Sequence, residues 1–202
     1  MGSTYVNNLR LEEMTTGEKS GTWGNITNVN LELVGQALGY GTRAIADAST
    51  DNITIADGAS DADRSMYLKL TGGGQACTIT LLPNTSSKMW IMENATSYTL
   101  TFSQGTGANV AIKAGQTKMI FADGLGGGAV VYELGTVAVQ NIQADGTVTV
   151  GIDDTGYDVT FFGATTGKKL FWDESADTLN VAGTTALAGN LSVTGITSNA
   201  DG

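Results

Sequence analysis

The chain has 202 residues, with 20 acidic side chains against 10 basic ones and a formal net charge of −10. This charge repels nucleic acid and anionic membrane surfaces, and the densest basic group is only Lys168-Lys169. The sequence has no histidine, the commonest general base and metal ligand, and a lone Cys77 that cannot form an internal disulfide. We therefore expect neither nucleic-acid binding nor most hydrolase and zinc chemistries.

The composition also limits the possible fold classes and the possible cellular locations of the protein. The 28 glycines come with a single proline and no Gly-X-Y period, which excludes collagen. No run approaches the ~20 apolar residues of a membrane span, and the start lacks the basic and apolar regions of a secretory signal. We expect a mostly β protein that assembles in the cytoplasm without inserting into a membrane.

Residues 1–44 contain one convincing helical pattern, with Asn25 or Thr27 as the N-cap and Gly39 at the end. The apolar side chains at helical spacing are Ile26, Val29, Leu33, Val34, Ala37 and Leu38. Trp23 precedes them in a polar, glycine-punctuated loop. Either Trp23 packs on its own helix, or the tryptophan and the helix anchor the chain to a neighbouring protein, because so short a segment makes a poor independent domain.

Residues 45–135 predict a series of short strands separated by glycine-rich turns, which favours an antiparallel β-sandwich or jelly-roll-like domain. The predicted strands are Ile53–Ala56, Met66–Leu70, Ala76–Leu82, Lys88–Asn94, Tyr98–Phe102, Asn109–Lys113, Thr117–Ala122 and Ala129–Leu134. Apolar and polar side chains alternate in most of them, so each strand has one buried face. Cys77 falls on such a face, where we expect a small buried hydrophobe.

Residues 136–202 repeat short alternating phrases: Val137-Ala-Val139, Val148-Thr-Val150, Val159-Thr-Phe161, Leu179-Asn-Val181 and Leu191-Ser-Val193. One such stripe is too narrow to form a core, and a repeated unit is typical of structures that grow by addition. We therefore predict an elongated, intertwined trimeric β-shaft that continues beyond Gly202. Its predicted contacts between copies are Val159, Phe161, Phe162, Trp172, Leu179, Val181, Leu191 and Val193.

Three motifs resemble chemical sites, but a turn explains each better. Asp154-Thr-Gly has the letters of an aspartic protease, yet its flanks are polar. The stretch from Gly163 to Lys169 is one residue short of a phosphate loop and has lysine where serine or threonine must meet magnesium. The carboxylates between Asp173 and Asp177 lack the spacing of a calcium loop. We expect no catalytic residue, no cofactor and no metal.

Two passages resemble the tail-fibre and virion structural proteins of tailed bacteriophages, of the marine or cyanophage type. One runs from Gly151 to Val181 and contains Tyr157-Asp-Val-Thr-Phe-Phe and Lys168-Lys-Leu-Phe-Trp172. The other is Gly17-Glu-Lys-Ser-Gly-Thr-Trp-Gly24, followed by Thr27-Asn-Val-Asn-Leu-Glu-Leu33. Together they cover about a third of the chain, at opposite ends.

The resemblance implies a homotrimer in the virion tail. Its amino-terminal part would attach to a tail adaptor or nozzle protein, and its more distal chain would meet the host surface. Trp23 and the helix through Leu38 match the attachment segment, and Tyr157 to Trp172 match the shaft. Receptor-reading tips usually need more chain than follows Ile196, so the sequence resembles the proximal half of a longer fibre.

Three other functions stay open. A head fibre or capsid decoration protein would use the same shaft with a different docking partner. A carbohydrate-binding module would grip sugars through Trp90 or Tyr98. A glycan depolymerase would need two carboxylates across a groove, and the acids in or beside the late strands, Glu93, Asp123 and Glu133, are not paired by spacing.

Overall fold

The computed structural model describes residues 2–135, 142–186 and 188–190. The fold is mostly β, as predicted, with one α-helix and three sheets among these residues. The chain divides into two compact units, Met1–Ala138 and Val139–Gly202, which we call the amino-terminal and carboxyl-terminal units. None of the described helices has the length and apolar character that crossing a bilayer requires.

The predicted helix is confirmed as α1, Trp23–Ala37. It begins earlier than predicted, so Asn25 and Thr27 lie inside it rather than at its N-cap. A turn prepares this start, because the backbone N–H groups of Thr22 and Trp23 both donate to the carbonyl of Lys19, at 2.9 and 3.0 Å. The first amides therefore have a partner without a capping side chain.

In residues 2–135 the amino-terminal unit has nine strands arranged in two sheets. They are β1 (Tyr40–Ile45), β2 (Thr50–Thr54), β3 (Tyr67–Gly72), β4 (Cys77–Leu82), β5 (Lys88–Asn94), β6 (Leu100–Ser103), β7 (Val110–Ile112), β8 (Thr117–Ala122) and β9 (Val131–Glu133). The five-stranded sheet has the order β1-β3-β5-β8-β9, and the four-stranded sheet has the order β2-β4-β6-β7.

The first six strands pair in parallel, which corrects the antiparallel prediction. The chain alternates between the sheets, so β1, β3 and β5 lie side by side in one sheet and β2, β4 and β6 in the other. Each return to the same sheet passes through the other sheet, a connection long enough for parallel pairing. Only β7, β8 and β9 join their neighbours in antiparallel fashion.

The inward side chains of both sheets form one hydrophobic cluster. Its fully buried members include Ile53, Leu68, Leu70, Ile79, Leu81, Trp90, Met92 and Phe102. The Trp90 indole N–H donates to the backbone carbonyl of Asp63 at 3.1 Å, which satisfies the polar atom of this buried ring. Cys77 lies in the same cluster as predicted, and burial raises the pKa of its thiol.

The described residues of the carboxyl-terminal unit form one antiparallel sheet of three strands, β10 (Val159–Phe162), β11 (Lys169–Asp173) and β12 (Thr178–Ala182), in that order. The predicted strands at Val159-Thr-Phe161 and Leu179-Asn-Val181 are confirmed. The predicted strand at Val148-Thr-Val150 is wrong, because no described strand pairs with it. The phrases Val137-Ala-Val139 and Leu191-Ser-Val193 lie outside the described residues.

Candidate functional site

One face of the three-stranded sheet is entirely apolar. In the register of its strands, Val159 pairs with Trp172 and Trp172 with Leu179. Two residues along, Phe161 pairs with Leu170 and Leu170 with Val181. Residues two apart on a strand share a face, so these side chains project on the same side of the sheet. We call this set the small-sheet face: Val159, Phe161, Leu170, Trp172, Leu179 and Val181.

The small-sheet face is open to water in the isolated chain. Phe161 is 64% exposed and Leu179 is 63% exposed. No residue described in 142–186 or 188–190 is buried, so this unit contains no hydrophobic core of its own there. A sheet that is apolar on one face must bury that face against another element to be stable. The face therefore calls for a second layer that the described part of this unit does not supply.

Five of the predicted shaft contacts share this face: Val159, Phe161, Trp172, Leu179 and Val181. Phe162 lies on the opposite face, in register with Lys169. The prediction missed Leu170, although it stands two residues before Trp172, because the continuous run Leu170-Phe-Trp hides the alternation. Leu191 and Val193 lie outside the described residues.

The opposite face of the sheet is mixed and polar. It carries Thr160 and Asn180, and the ammonium of Lys169 lies 4.1 Å from the centre of the Phe171 ring. A cation over an aromatic ring shields part of that ring while the charge keeps contact with water. The sheet is thus amphipathic, and only the small-sheet face lacks polar side chains.

The three motifs that resemble chemical sites form turns. The carboxylate of Asp173 accepts hydrogen bonds from the Ser175 hydroxyl at 2.8 Å and the Ala176 N–H at 3.1 Å. Ile152 and Thr155 exchange backbone hydrogen bonds at 3.1 and 2.9 Å around Asp154. The N–H of Lys168 donates to the carbonyl of Thr165 at 3.0 Å. Within the ranges that the structure describes, no group of acidic or cysteine side chains is placed to hold a metal ion.

The second predicted site, helix α1, contains both buried and exposed apolar residues. Leu33 and Ala37 are buried, and Ile26 and Val34 are half-buried. Trp23, Val29 and Leu31 on the helix are exposed, as is Leu38 directly after it, and Trp23 is 63% exposed. The ring of Trp23 therefore does not pack on its own helix, which was one of the two predicted arrangements. Leu33 serves the protein's own packing rather than a docking surface.

Two polar contacts hold α1 and the preceding segment in place. The side chain of Asn30 forms a reciprocal pair with the backbone of Glu12: its oxygen accepts from the N–H at 3.0 Å, and its amide donates to the carbonyl at 2.9 Å. The fully buried guanidinium of Arg64 donates to the carbonyls of Leu9, Ala56 and Ala59. The role of Arg64 does not follow from the sequence, because nothing in the local pattern shows that the distant carbonyl of Leu9 lies beside it.

The residues considered for sugar binding and glycan hydrolysis have structural roles. Trp90 is 1% exposed, so its ring cannot stack on a sugar. The carboxylate of Glu93 pairs with Lys69 at 2.8 Å and accepts from the Tyr67 hydroxyl at 2.9 Å; these hydrogen bonds lower its pKa. A general acid needs the opposite shift. Tyr98 is partly exposed, at the end of a loop.

The other two acids are also held. Glu133 pairs with Lys118 at 2.8 Å, and the carboxylate of Asp123 accepts from the backbone N–H groups of Leu125 and Val130, each at 3.1 Å. These contacts fix the turn that leads into β9.

Comparison of the chain with protein-family models, with curated proteins and with solved structures gives no match.

Proposed function

We propose that this chain is a non-enzymatic structural protein of a virion, the proximal part of a homotrimeric tail fibre through which a tailed bacteriophage attaches to its host. The observation that carries the proposal is the small-sheet face. It joins apolar side chains from three strands on one side of a single layer, and that layer has no core of its own among the described residues.

A trimer supplies the missing layer. Three copies of the sheet, each turned toward a common axis, enclose their small-sheet faces in one shared core. Each large apolar side chain that the trimer buries contributes about 1.5–3 kcal/mol. Closed symmetry suits this arrangement, because every copy offers the same surface and none is left open.

The exposed apolar residues of α1 and its C-terminal end form the proposed attachment surface. Trp23 and Val29 lie on the helix and Leu38 follows it directly. Hydrogen bonds from Asn30 to Glu12 and from Gln36 to Ser60 hold the helix in place. A tryptophan is a good anchor, because its ring is large and has few rotatable side-chain bonds, so little side-chain entropy is lost when it enters a partner's pocket. Three such anchors in one trimer raise the local concentration and turn weak single contacts into lasting attachment.

The assignment to a phage tail rests on the resemblance of Gly17–Gly24 and of Gly151–Val181 to tail-fibre proteins. In that arrangement the partner is a tail adaptor or nozzle protein, and contact with the host surface belongs to more distal chain. The mechanism is mechanical: the fibre holds and positions the distal receptor-binding part.

Immunogold electron microscopy of intact particles of the encoding virus tests this proposal. Antibodies raised against the purified chain should label the tail where the fibres join it, and pre-immune serum should not. Labelling of the capsid would replace the tail fibre with a head fibre or decoration protein. Absence of label from particles lysed and intact alike would overturn a virion role.

A further inference from the structure

Two rows on the outer face of the five-stranded sheet of the amino-terminal unit are also apolar. Its strand register aligns Tyr40 with Tyr67, Tyr67 with Ile91 and Ile91 with Met119, and the N–H of Leu134 donates to the carbonyl of Met119 at 3.1 Å. One row of large apolar and aromatic side chains therefore crosses all five strands. A second row aligns Met89 with Phe121 and Phe121 with Tyr132. We call the two rows together the five-strand face.

The five-strand face is accessible in the isolated chain. Six of its side chains are between 36% and 63% exposed: Tyr40, Met89, Met119, Phe121, Tyr132 and Leu134. At 150–250 Å² for a large side chain, these six present about 600 Å² to water. That area is at the upper end of the largest apolar patch on a typical monomer. A contiguous patch of this size marks an interaction surface.

The other sheet of the same unit provides an internal contrast. On the outer face of the four-stranded sheet, Thr50 pairs with Thr78 and Thr78 with Thr101, and the next row consists of Asn52, Thr80 and Ser103. Both sheets place their inward side chains in one core, so the fold alone does not require an apolar exterior. The two outer faces differ in side-chain chemistry, and only one of them suits burial.

The charges on the five-strand face indicate its occupant. Lys69 and Glu93 lie in the row next to this face and form an ion pair at 2.8 Å, so the five-strand face carries no charged side chain and borders a neutral pair. The chain as a whole has a net charge of −10, so two copies repel each other over most of their surface. A neutral apolar face is where a second acidic copy can approach without this penalty. A basic partner would gain nothing from choosing it.

We propose that the five-strand face is buried against other copies of the same chain, as a second self-contact of the trimer. This inference rests on the proposed function and extends it, because the trimer would then be held through both of its units. The exposed area of about 600 Å² per chain approaches the ~800 Å² per partner of a standard stable interface.

Cysteine accessibility in the full chain tests the inference. In a Cys77→Ala background, Met119→Cys places a thiol on the five-strand face, and Thr78→Cys places one on the outer face of the four-stranded sheet. Both native side chains are exposed in the isolated chain, so the two positions form a matched pair. The molar mass of each variant is measured by light scattering, and the variant is then treated with a maleimide-linked polyethylene glycol. Met89→Cys, in the second row of the same face, is a replacement if Met119→Cys does not fold.

We expect trimers in which the Met119→Cys thiol reacts at least about tenfold more slowly than the Thr78→Cys thiol, because burial protects it. In urea the two thiols should react at equal rates. Equal rates in the folded trimer would overturn the inference and leave the trimeric fibre standing. Folded monomers in both variants would overturn the inference together with the proposed function.

Discussion

The two units of this protein use the same alternating strand pattern and reach opposite results. In the amino-terminal unit, Leu68 and Phe102 are completely buried between two sheets. In the carboxyl-terminal unit, Phe161 follows the same alternation and remains 64% exposed, because the described residues there form a single sheet. Alternation therefore specifies which face of a strand is apolar, whereas a second layer decides whether that face is buried. Within the residues that the structure describes, the first unit contains its second layer and the other does not.

The largest expected effect comes from a substitution on the small-sheet face that should prevent the association covering it. Phe161→Asp should convert the trimer into a monomer, because each copy would bring an unpaired carboxylate into the shared core. Thr160→Asp is the matched control: it lies on the same strand but on the polar face, and it should leave the trimer intact. Light scattering reads the molar mass of both variants. A trimeric Phe161→Asp chain would show that the face is not the contact.

The second prediction separates the units by their dependence on protein concentration. Phe102→Ala should destabilise the amino-terminal unit by about 3–5 kcal/mol, through loss of a fully buried ring. Protection of β10–β12 in wild-type protein should instead fall as the protein is diluted, because it depends on association. Hydrogen exchange followed by mass spectrometry reports the two units separately. Protection of β10–β12 that is unaffected by dilution would contradict the comparison.

The third prediction concerns a positively charged side chain that is buried in the amino-terminal unit. Lys88 is buried, and burial lowers its pKa from an ordinary value of 10.5 to about 8. Between these values the unfolded chain binds more protons than the folded one, so the free energy of unfolding rises with pH. We expect a rise of about 1–2 kcal/mol between pH 7.5 and 9.5. Urea unfolding of wild type and of Lys88→Met measures it, and the variant should lack this rise. An equal rise in both proteins would assign it to other groups.

The smallest expected effect lies on helix α1. Trp23→Ala should change the free energy of unfolding by no more than about 0.5 kcal/mol, because the ring is largely exposed. Leu33→Ala on the buried side of the same helix should cost about 2–4 kcal/mol. Urea unfolding of both variants makes the comparison. A large decrease in the free energy of unfolding of Trp23→Ala would mean that the ring supports the fold and is not available to a partner.

Most strands could be predicted from the sequence where one face is uniformly apolar. The predicted bounds of β5 and β8 coincide with those in the structure. Strand β1 was missed, because its inward positions include Gly41 and Arg43 instead of large apolar residues. A side chain at Gly41 would collide with the carbonyl of Ala62, and the Arg43 guanidinium is paired with Asp51 and Asp63. Such a strand shows no alternation in the sequence.

The sequence does not show whether neighbouring strands pair in parallel or antiparallel. An alternating strand buries the same face beside a parallel or an antiparallel neighbour, and short turns favoured the antiparallel prediction. For the small-sheet face, alternation placed Phe161 and Val181 correctly on one side, but it did not separate Phe162 from Phe161 within a continuous apolar run. The role of Arg64 depends on the carbonyl of Leu9, 55 positions earlier in the chain, together with those of Ala56 and Ala59, and only the folded chain brings Leu9 to it.

The molar mass of the purified full chain in solution, measured by light scattering, tests the central claim most directly. The account predicts three times 20.8 kDa, with the small-sheet faces of three chains enclosed in one core. A folded monomer of 20.8 kDa with protected β10–β12 amides would contradict it, because the small sheet would then be stable without a partner.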